Sequence, residues 1–290
     1  MKDVRLATAR ITLSADDYGL SPGVGIAIRS LAAQRRITAA SCMTVTPHWA
    51  SEAKLIPDVS EHFEFGLHIT LTEHSPLTNI PDLCTEGRLP GVGSLFRSAV
   101  KGTLPLGGIE AEIEAQIEAF EREAGFPPRF FDGHHHVHQF PGIRDCLIAV
   151  LKRHPSSRGA FVRTCEEPLS RIFRRRESLL KSFVVGALGR SLKPKLRQAG
   201  FRTNRGFAGF YRQDTGRSIG EVFRKLLLGL NEGAMVMCHP GVVDAALVAA
   251  DSLTTPREVE FAFLGGDEFP RLLEAEALSL VPPSALNNGE

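Results

Sequence analysis

The sequence predicts an α/β fold in which parallel strands alternate with helices and close into a barrel. Apolar segments of strand length alternate with segments of helical periodicity, and no linker divides the 290-residue chain. About seven or eight strand–helix units can be counted, which favours a closed barrel over an open sheet. No Gly-x-Gly-x-x-Gly follows a predicted strand, so a dinucleotide-binding sheet is not indicated. We therefore expect one barrel domain spanning residues 1–290.

The predicted elements alternate along the whole chain. Strands are predicted at 11–15, 39–46, 63–71, 129–134, 160–164, 234–238 and 278–281, and helices at 23–35, 109–120 and 143–153. Between Ile109 and Phe120 the apolar residues recur at the spacing of one helical face, and Gly125 marks the end of that helix. The Gly-Val-Gly sequences at 23–25 and 91–93 are expected to lie in turns.

Composition limits the classes of protein to which the chain can belong. Hydrophobic residues make up 43% and charged residues 23%, which is typical of a soluble globular protein. The net charge of +1 offers no overall attraction for nucleic acid, so no nucleic-acid partner is expected. The five Cys are scattered without a Cys-x-x-Cys pair, and neither a signal peptide nor a transmembrane segment is recognised. These features predict a cytoplasmic protein.

A basic helical insertion is predicted around 168–204. Ten Lys or Arg residues lie between Arg171 and Arg202 against one acidic residue, Glu177, and apolar residues are interleaved with them. One interpretation is a solvated helix pair whose inner face packs on the barrel. The other is an amphipathic patch that contacts anionic lipid or phosphate, which would give a peripheral membrane contact through 171–202, on the inner face of the membrane.

Polar residues lie at the predicted carboxyl ends of four strands. Asp16 and Asp17 end the first strand, and His68 lies near the end of the third. The run Asp132-Gly-His-His-His-Val-His ends the fourth, and His239 ends the sixth. Because the carboxyl ends of barrel strands meet at one rim, we expect these groups to lie close together.

The two adjacent carboxylates suggest a division of roles, in which one binds a metal ion and the other acts as a base. Adjacent strand residues point to opposite faces, so Asp16 and Asp17 reach one site only if the backbone turns there, as Gly19 and Pro22 allow. The alternative is that Asp17 caps the helix that follows.

The histidine run offers more imidazoles than one metal ion needs. If it is extended, His134, His136 and His138 share one face and His135 takes the other. One or two of them can bind a metal ion, and the others can brace the site or contact a substrate. Asp132 can orient a metal-binding imidazole by accepting its free N–H.

The two remaining histidines have simpler alternatives. His68 lies among apolar residues and is alternatively a core residue, whereas His239 is either a turn residue or a proton-transfer group. A set of two His and one carboxylate with open positions suits Zn²⁺, Mg²⁺, Mn²⁺ or Fe²⁺.

Four segments, taken together and in order, resemble the YdjC/ChbG carbohydrate deacetylases. They lie at 14–21, 66–72, 132–141 and 237–241. The resemblance implies a deformed TIM-like (β/α) barrel, one divalent metal ion (Mg²⁺ or Zn²⁺) and hydrolysis of an N-acetyl group on an amino sugar. By the same resemblance, the metal ligands are Asp17, His68 and His134. Asp16 is then the general base, and His239 is an acid or orients the substrate.

Four further residues are expected to support the site, and the resemblance also points to a branch of the family. Residues expected to brace the site or contact the substrate are Asp132, His136, His138 and Arg163. Tyr18 stands where the motif commonly has Phe. The segments 207–211 and 251–258 look like the branch associated with hopanoid lipid biosynthesis, which implies the sugar head group of a hopanoid glycolipid as substrate. A homodimer is one assembly that the sequence permits.

Two rival functions use the same residue types. A non-haem Fe(II) oxygenase also uses two His and one carboxylate, but it usually has a double-stranded β-helix rather than an α/β fold. A non-catalytic metal-binding or sugar-binding module would keep the metal ligands and would not need Asp16.

Overall fold

The structure is a computed structural model that describes residues 8–56, 61–175, 178–212 and 217–286. Its strands are β1 (Ala9–Tyr18), β2 (Ala39–Cys42), β3 (Glu64–Ile69), β4 (Phe130–Gly133), β5 (Phe161–Val162), β6 (Gly206–Ala208), β7 (Ala234–Cys238) and β8 (Leu278–Leu280). Its helices are α1 (Pro22–Ala33), α2 (Trp49–Ala53), α3 (Val92–Lys101), α4 (Leu106–Ala124), α5 (Ile143–Arg153), α6 (Leu169–Arg175), α7 (Leu179–Gln198), α8 (Ile219–Leu227), α9 (Ala245–Ala250), α10 (Thr255–Gly265) and α11 (Glu268–Ala275).

The strands form one parallel sheet. Its order is β5-β4-β3-β2-β1-β7-β6, and β8 pairs with the first residues of β1. The central strand β1 is buried at every position from Ile11 to Tyr18, as expected when helices cover one face of a parallel sheet and side chains fill the other. The predicted α/β barrel class is confirmed.

The ring closes irregularly between β5 and β6. The N–H of Val162 donates to the carbonyl oxygen of Arg202 at 2.9 Å, and the N–H of Arg202 donates to the carbonyl oxygen of Ala160 at 3.2 Å. This isolated parallel bridge takes the place of a regular strand ladder, because Arg202 precedes β6 rather than belonging to it. The barrel is therefore deformed on this side. Strand β6 was not predicted from the sequence.

The local structure predicted for the histidine run was wrong. Strand β4 ends at Gly133, and His134–Gln139 forms a 3₁₀ turn in which His135 and His136 have φ values of 53° and 59°. Left-handed residues in a tight turn do not alternate between two faces. The imidazoles of this run therefore point in separate directions, and a strand alternation cannot sort them.

The glycines at 23 and 25 do not lie in a turn as predicted. Both belong to α1, where Gly23 packs against the carbonyl oxygen of Val242 and Gly25 packs against the carboxylate of Glu52. A Cβ atom at either position would collide with these oxygen atoms. The glycines therefore serve close packing of a helix, which a local sequence pattern does not reveal.

The helix predicted from its apolar stripe is confirmed as α4. Its buried residues include Ile109, Ile113, Ile117 and Phe120, which have no exposed surface. The helix ends at Gly125, whose φ of 80° is the left-handed conformation expected of a C-terminal glycine.

The segment 168–204 contains the predicted helix pair, α6 and α7, between β5 and β6. Its inner face includes the completely buried Ile172, Leu192 and Leu196, together with the buried Arg175, which pairs with Glu167. In the described ranges, none of the helices combines the length and the hydropathy needed to cross a bilayer.

Candidate functional site

The carboxyl ends of the strands surround a cavity of about 330 Å³. Strand β1 contributes Asp16 and Asp17, β3 contributes His68, the turn after β4 contributes His134, and the end of β7 contributes His239. The structure thus brings together the five residues predicted to bind metal or to act in catalysis.

Asp17, His68 and His134 form one of three groups of candidate metal ligands among the described residues; in another, Asp16, His68 and Asp132, both carboxylates already face Arg163. One oxygen of Asp17, Oδ1, lies 3.0 Å from Nδ1 of His134 and 3.3 Å from Nε2 of His68. One ligand atom from each of the three residues lies within 4.8 Å of the other two. Three electron-rich atoms therefore face one point, at which a cation or a proton is required for stability.

The backbone at the end of β1 allows both carboxylates to reach the cavity. Asp17 has a φ of 70°, and the pairing of β1 with β2 shifts register between Ala15 and Tyr18. This left-handed residue breaks the strand alternation that would send the two side chains to opposite faces. Asp17 does not cap α1, because Ser21 is the residue whose side chain accepts from the helix, at the N–H of Val24.

Arg257 holds the second oxygen of Asp17. Its Nη2 donates to Asp17 Oδ2 at 2.6 Å and to Asp251 Oδ2 at 2.7 Å. Burial opposes ionisation of Asp17, but the charges of Arg257 and His134 outweigh it and hold the pKa of Asp17 well below its usual value. Asp17 is therefore an ionised ligand, with one oxygen for a metal ion and one for Arg257.

Asp132 orients His68. Its Oδ1 accepts a hydrogen bond from Nδ1 of His68 at 2.5 Å, which directs Nε2 of the same ring toward Asp17. Burial lowers the pKa of His68, but the neighbouring carboxylates, Asp132 above all, raise it to about 10. A carboxylate behind the imidazole also makes its other nitrogen a stronger metal ligand. This is the role predicted for Asp132, although toward His68 rather than toward the histidine run.

Asp16 is paired with Arg163 rather than with the ligand group. The guanidinium donates from Nη1 to Asp16 Oδ1 and from Nη2 to Oδ2, both at 2.7 Å. Burial raises the pKa of Asp16, but Arg163 and then His68 outweigh it, and the net direction is downward. The bidentate geometry fixes the carboxylate and keeps it ionised.

Arg163 is itself held on several sides and has no exposed surface. Asp132 Oδ2 lies 3.2 Å from its Nη2, and the ring centroid of Phe207 lies 5.7 Å from its guanidinium carbon. His138 donates from Nε2 to the backbone carbonyl of Arg163 at 2.9 Å. Burial, with Arg163 nearby, lowers the pKa of His138 to about 3, so this imidazole is neutral. His138 braces the arginine that fixes Asp16.

His239 and His136 both line the cavity but have different neighbours. The backbone N–H of His239 donates to Glu260 Oε2 at 2.7 Å, which fixes the chain at the end of β7. Burial lowers the pKa of His239 in spite of the nearby Asp17 and Asp16. His136 packs against aromatic rings, with the centroid of Phe210 5.0 Å away, and burial holds its pKa well below the usual value.

Several residues of the cavity wall were not predicted from the sequence. They are Leu20, Glu73, His74, His135, Lys181, Phe210, Tyr211, Met237, Asp251 and Arg257. Met237 lies in β7, and Leu20 and Phe210 lie just after β1 and β6, whereas Lys181, Asp251 and Arg257 come from helices and loops remote from the strand ends. His135 belongs to the histidine run, and Phe210, Tyr211, Asp251 and Arg257 belong to the segments 207–211 and 251–258 that resemble a branch of the family, although none of them was named as a site residue.

A second group of candidate ligands shares His134 with the first. It consists of Glu73, His134 and His135, of which Glu73 is exposed and the two histidines are half-buried. Nδ1 of His135 is 3.0 Å from the hydroxyl of Thr72. Because His134 already faces Asp17, the more buried first group is the better site for one ion.

The first group fits a divalent cation by the chemistry of its donors. It offers one ionised carboxylate oxygen and two imidazole nitrogens, and it opens into the cavity, where further positions are available to a water molecule or a substrate. The second oxygen of Asp17 and the second nitrogen of His68 already have hydrogen-bond partners, as is usual for metal ligands.

Comparison with known proteins matches most of the chain. A family profile described as "YdjC-like protein" matches residues 10–275. A carbohydrate deacetylase of Geobacillus stearothermophilus is 28% identical over 255 residues, which are 87% of each chain. A chitooligosaccharide deacetylase of Proteus mirabilis (strain HI4320) is 35% identical over 133 residues, which are 46% of this chain. The match spans about half the length of that second relative, 51%.

A solved structure shares the fold. A protein of Enterococcus faecalis V583, described as a candidate cellobiose-phosphate cleavage protein, superposes with a TM-score of 0.73 at 19% identity. The superposition covers 96% of this chain and 98% of that one. The likeness therefore extends over the whole barrel.

Proposed function

The chain belongs to the YdjC-like protein family, and on this premise we propose that it is a metal-dependent deacetylase that hydrolyses the N-acetyl group of an acetylated amino sugar. The observation that carries the proposal is the geometry of the cavity, which combines a ligand group of two His and one Asp with a separately held carboxylate, Asp16. Hydrolysis of an amide needs activation of the carbonyl group and a base for the attacking water. The names of the two curated relatives support a carbohydrate substrate.

Asp17, His68 and His134 would hold the ion, which we propose to be Zn²⁺ or Mg²⁺. When bound there, a divalent ion supplies Lewis-acid polarisation of the acetamide carbonyl and lowers the pKa of water. Two imidazole ligands favour Zn²⁺ over Mg²⁺, which prefers oxygen.

Asp16 is the proposed general base. It takes a proton from the water molecule that attacks the acetamide carbonyl, and it returns that proton to the departing amine as the C–N bond breaks to give acetate and the free amine. Arg163 keeps its carboxylate ionised and fixed for the first transfer. The same pairing lowers the basicity of Asp16. Efficient proton transfer would therefore need a water molecule whose pKa is lowered by a bound metal ion. The base Asp16 and the metal-binding carboxylate Asp17 are adjacent in sequence, yet each is paired with a different arginine.

His239 is the proposed substrate-orienting group. Its lowered pKa keeps the imidazole neutral near pH 7, and a neutral imidazole can donate one hydrogen bond to the substrate without carrying a charge. This favours orientation of the acetamide over the alternative role, protonation of the departing amine. His136, which lines the cavity beside Phe210, is proposed to contact the sugar.

The narrower predictions from the sequence belong to this proposal. We propose that residues 1–290 form one catalytic domain into which the basic segment around 168–204 is inserted, and that the protein acts in the cytoplasm. The proposed substrate range includes the sugar head group of a hopanoid glycolipid, which the enzyme would meet at the inner membrane surface through residues 171–202. Assembly as a homodimer stays a prediction.

The two rivals are less well supported. The parallel α/β barrel is not the double-stranded β-helix usual for the oxygenases, and a binding module has no use for the buried pair of Asp16 and Arg163. No observation on the described residues favours either of them.

Acetate release from acetylated amino sugars and glycolipids, with and without a chelator, tests the proposed function. Asp16→Asn is expected to bind metal as the wild type does and to lose activity by about 100-fold or more, because a positioned base contributes 10²–10⁴-fold. Asp267→Asn is the matched control, since Asp267 is an exposed carboxylate outside the cavity wall. Full activity of Asp16→Asn, or activity that survives chelation, would contradict the proposal.

A further inference from the structure

Exposed apolar side chains are concentrated at one place on the described surface. Of the 13 large apolar residues exposed in the described ranges, five lie between Leu169 and Val184. These five, together with Phe183, are called the apolar tip: Leu169, Phe173, Leu179, Leu180, Phe183 and Val184. Leu180 is 80% exposed. The ring centroids of Phe173 in α6 and Phe183 in α7 are 5.3 Å apart, so the two helices form one surface.

Most of the basic residues in this segment are already engaged within the protein. The pairs are Arg171 with the Leu226 carbonyl, Arg175 with Glu167, Lys193 with Glu166, Lys195 with Asp145 and Arg202 with the Ser284 carbonyl. Arg174 and Lys181 lie beside the apolar tip and are exposed. Among the described residues, neither of these two forms an ion pair. The exposed apolar side chains and these two cations thus lie together in the N-terminal half of the segment.

The apolar tip adjoins the mouth of the catalytic cavity. Lys181, in the first turn of α7, is one of the residues that line the cavity, and its Nζ lies 5.3 Å from the ring centroid of Phe210, another lining residue. Leu180 and Phe183 are neighbours of Lys181 in sequence on the same helix. A surface that contacts the tip therefore also borders the opening through which a substrate enters.

We propose that the apolar tip docks on an anionic lipid bilayer and that the site draws its acetylated amino sugar from that bilayer as the head group of a lipid. The second half of this inference rests on the proposed deacetylase function, whereas the first half does not. Protruding Leu, Phe and Val side chains insert among acyl chains, and the unpaired cations Arg174 and Lys181 are complementary to lipid phosphates.

The shape and charge of the tip favour a bilayer over a second protein copy. A protein interface is closely packed and needs a complementary hollow, whereas lipid accommodates isolated side chains that protrude, such as Leu180. Two copies related by a twofold axis would also bring Arg174 and Lys181 of each copy toward the same cations of the other.

Co-sedimentation with vesicles tests the docking surface without reference to catalysis. The full chain is mixed with vesicles of phosphatidylcholine alone or with added phosphatidylglycerol. We expect the protein to bind more strongly to the anionic vesicles. The partition coefficient of Phe173→Ser/Leu180→Ser should be lower by at least about tenfold, because two apolar side chains that would insert into the bilayer are lost. Val100→Ser is the matched control, since Val100 is 63% exposed on α3 and lies outside the tip.

Acetate release separates the two halves of the inference. The double variant is expected to keep wild-type activity on a soluble acetylated amino sugar and to lose at least about tenfold on an acetylated glycolipid in vesicles. Vesicle binding without acetate release from any substrate would refute the deacetylase and leave the docking surface standing. Activity without vesicle binding, equal binding of the double variant, or a dimer that the double variant abolishes would overturn the docking proposal.

Discussion

Asp17 contacts both the two histidine ligands and Arg257, because its two carboxylate oxygens face different partners. Oδ1 faces His68 and His134, and Oδ2 accepts from Arg257. A carboxylate held on one side only could rotate away from an ion. The arginine therefore fixes the direction in which the ligand oxygen points, and it keeps the group ionised where burial alone would favour protonation.

At the residue scale, Asp132→Asn is expected to weaken metal binding by about 10- to 100-fold, the usual effect of removing a partner behind a metal-binding imidazole. The variant also lowers the pKa of His68, which Asp132 helps to raise to about 10. In the wild type a metal ion must displace that proton, so the apparent affinity should rise with pH up to that pKa. Calorimetric titration with Zn²⁺ at several pH values measures both effects.

Asp145→Asn is the control for this titration. Asp145 pairs with Lys195 at the surface, outside the cavity wall, and should leave the dissociation constant unchanged. If Asp132→Asn bound Zn²⁺ as tightly as the wild type, with the same pH dependence, its role in orienting His68 would be refuted.

At the scale of elements, the end of β1 determines where both carboxylates lie. The left-handed Asp17 requires the chain to be anchored directly after it, and Tyr18 supplies the anchor. Its hydroxyl donates to the carbonyl of Glu52 in α2 at 2.8 Å and accepts from Nη1 of Arg29 in α1 at 2.9 Å. The Tyr at this family position thus ties β1 to the first two helices.

Tyr18→Phe is expected to lower the free energy of unfolding by about 1 kcal/mol, since the carbonyl of Glu52 loses one of its donors and Nη1 of Arg29 loses an acceptor. Urea denaturation measures this loss. Activity on a soluble substrate should stay at the wild-type level, because Tyr18 is not part of the cavity wall. A variant as stable as the wild type would show that the hydroxyl does not act as an anchor. A stable variant without activity would contradict the anchor role as well.

At the scale of the whole molecule, two buried ion pairs cross the barrel at its carboxyl rim. Asp16 with Arg163 joins β1 to the end of β5, and Asp17 with Arg257 joins β1 to α10. Both carboxylates have pKa values lowered from 3.8 in the folded state. Their ionised forms therefore stabilise the fold above about pH 4, and this contribution is lost as the pH falls through the lower, folded pKa values.

The metal-free protein should accordingly show a steep decline of the unfolding free energy below about pH 4, and the buried neutral histidines, such as His138 with its pKa lowered to about 3, make the decline begin below about pH 6.5. Each carboxylate contributes at most about 1.4 kcal/mol per pH unit to that slope. Urea denaturation between pH 3 and pH 7 measures the profile. Asp16→Asn, with one titrating group fewer, should decline less steeply, and an equal slope in both proteins would contradict the assignment.

The sequence alone determined the class of fold and five positions of the site. Alternating apolar segments specify the strands, and Asp16, Asp17, His68, His134 and His239 follow directly from where those strands end. In a parallel barrel the carboxyl ends share one rim, so a local pattern is sufficient to predict that such residues meet.

Only the tertiary structure decided how these residues are held. Arg163 and Asp16 are 147 residues apart in sequence, and Arg257 and Asp17 are 240 apart. Nothing in the neighbourhood of an arginine reports which buried carboxylate it will meet, because the pairing depends on how helices and loops pack after the sheet has formed. The 3₁₀ turn at His134–Gln139 was hidden for the same reason, since its left-handed residues His135 and His136 contact Thr72 and Cys165, which are distant from them in sequence.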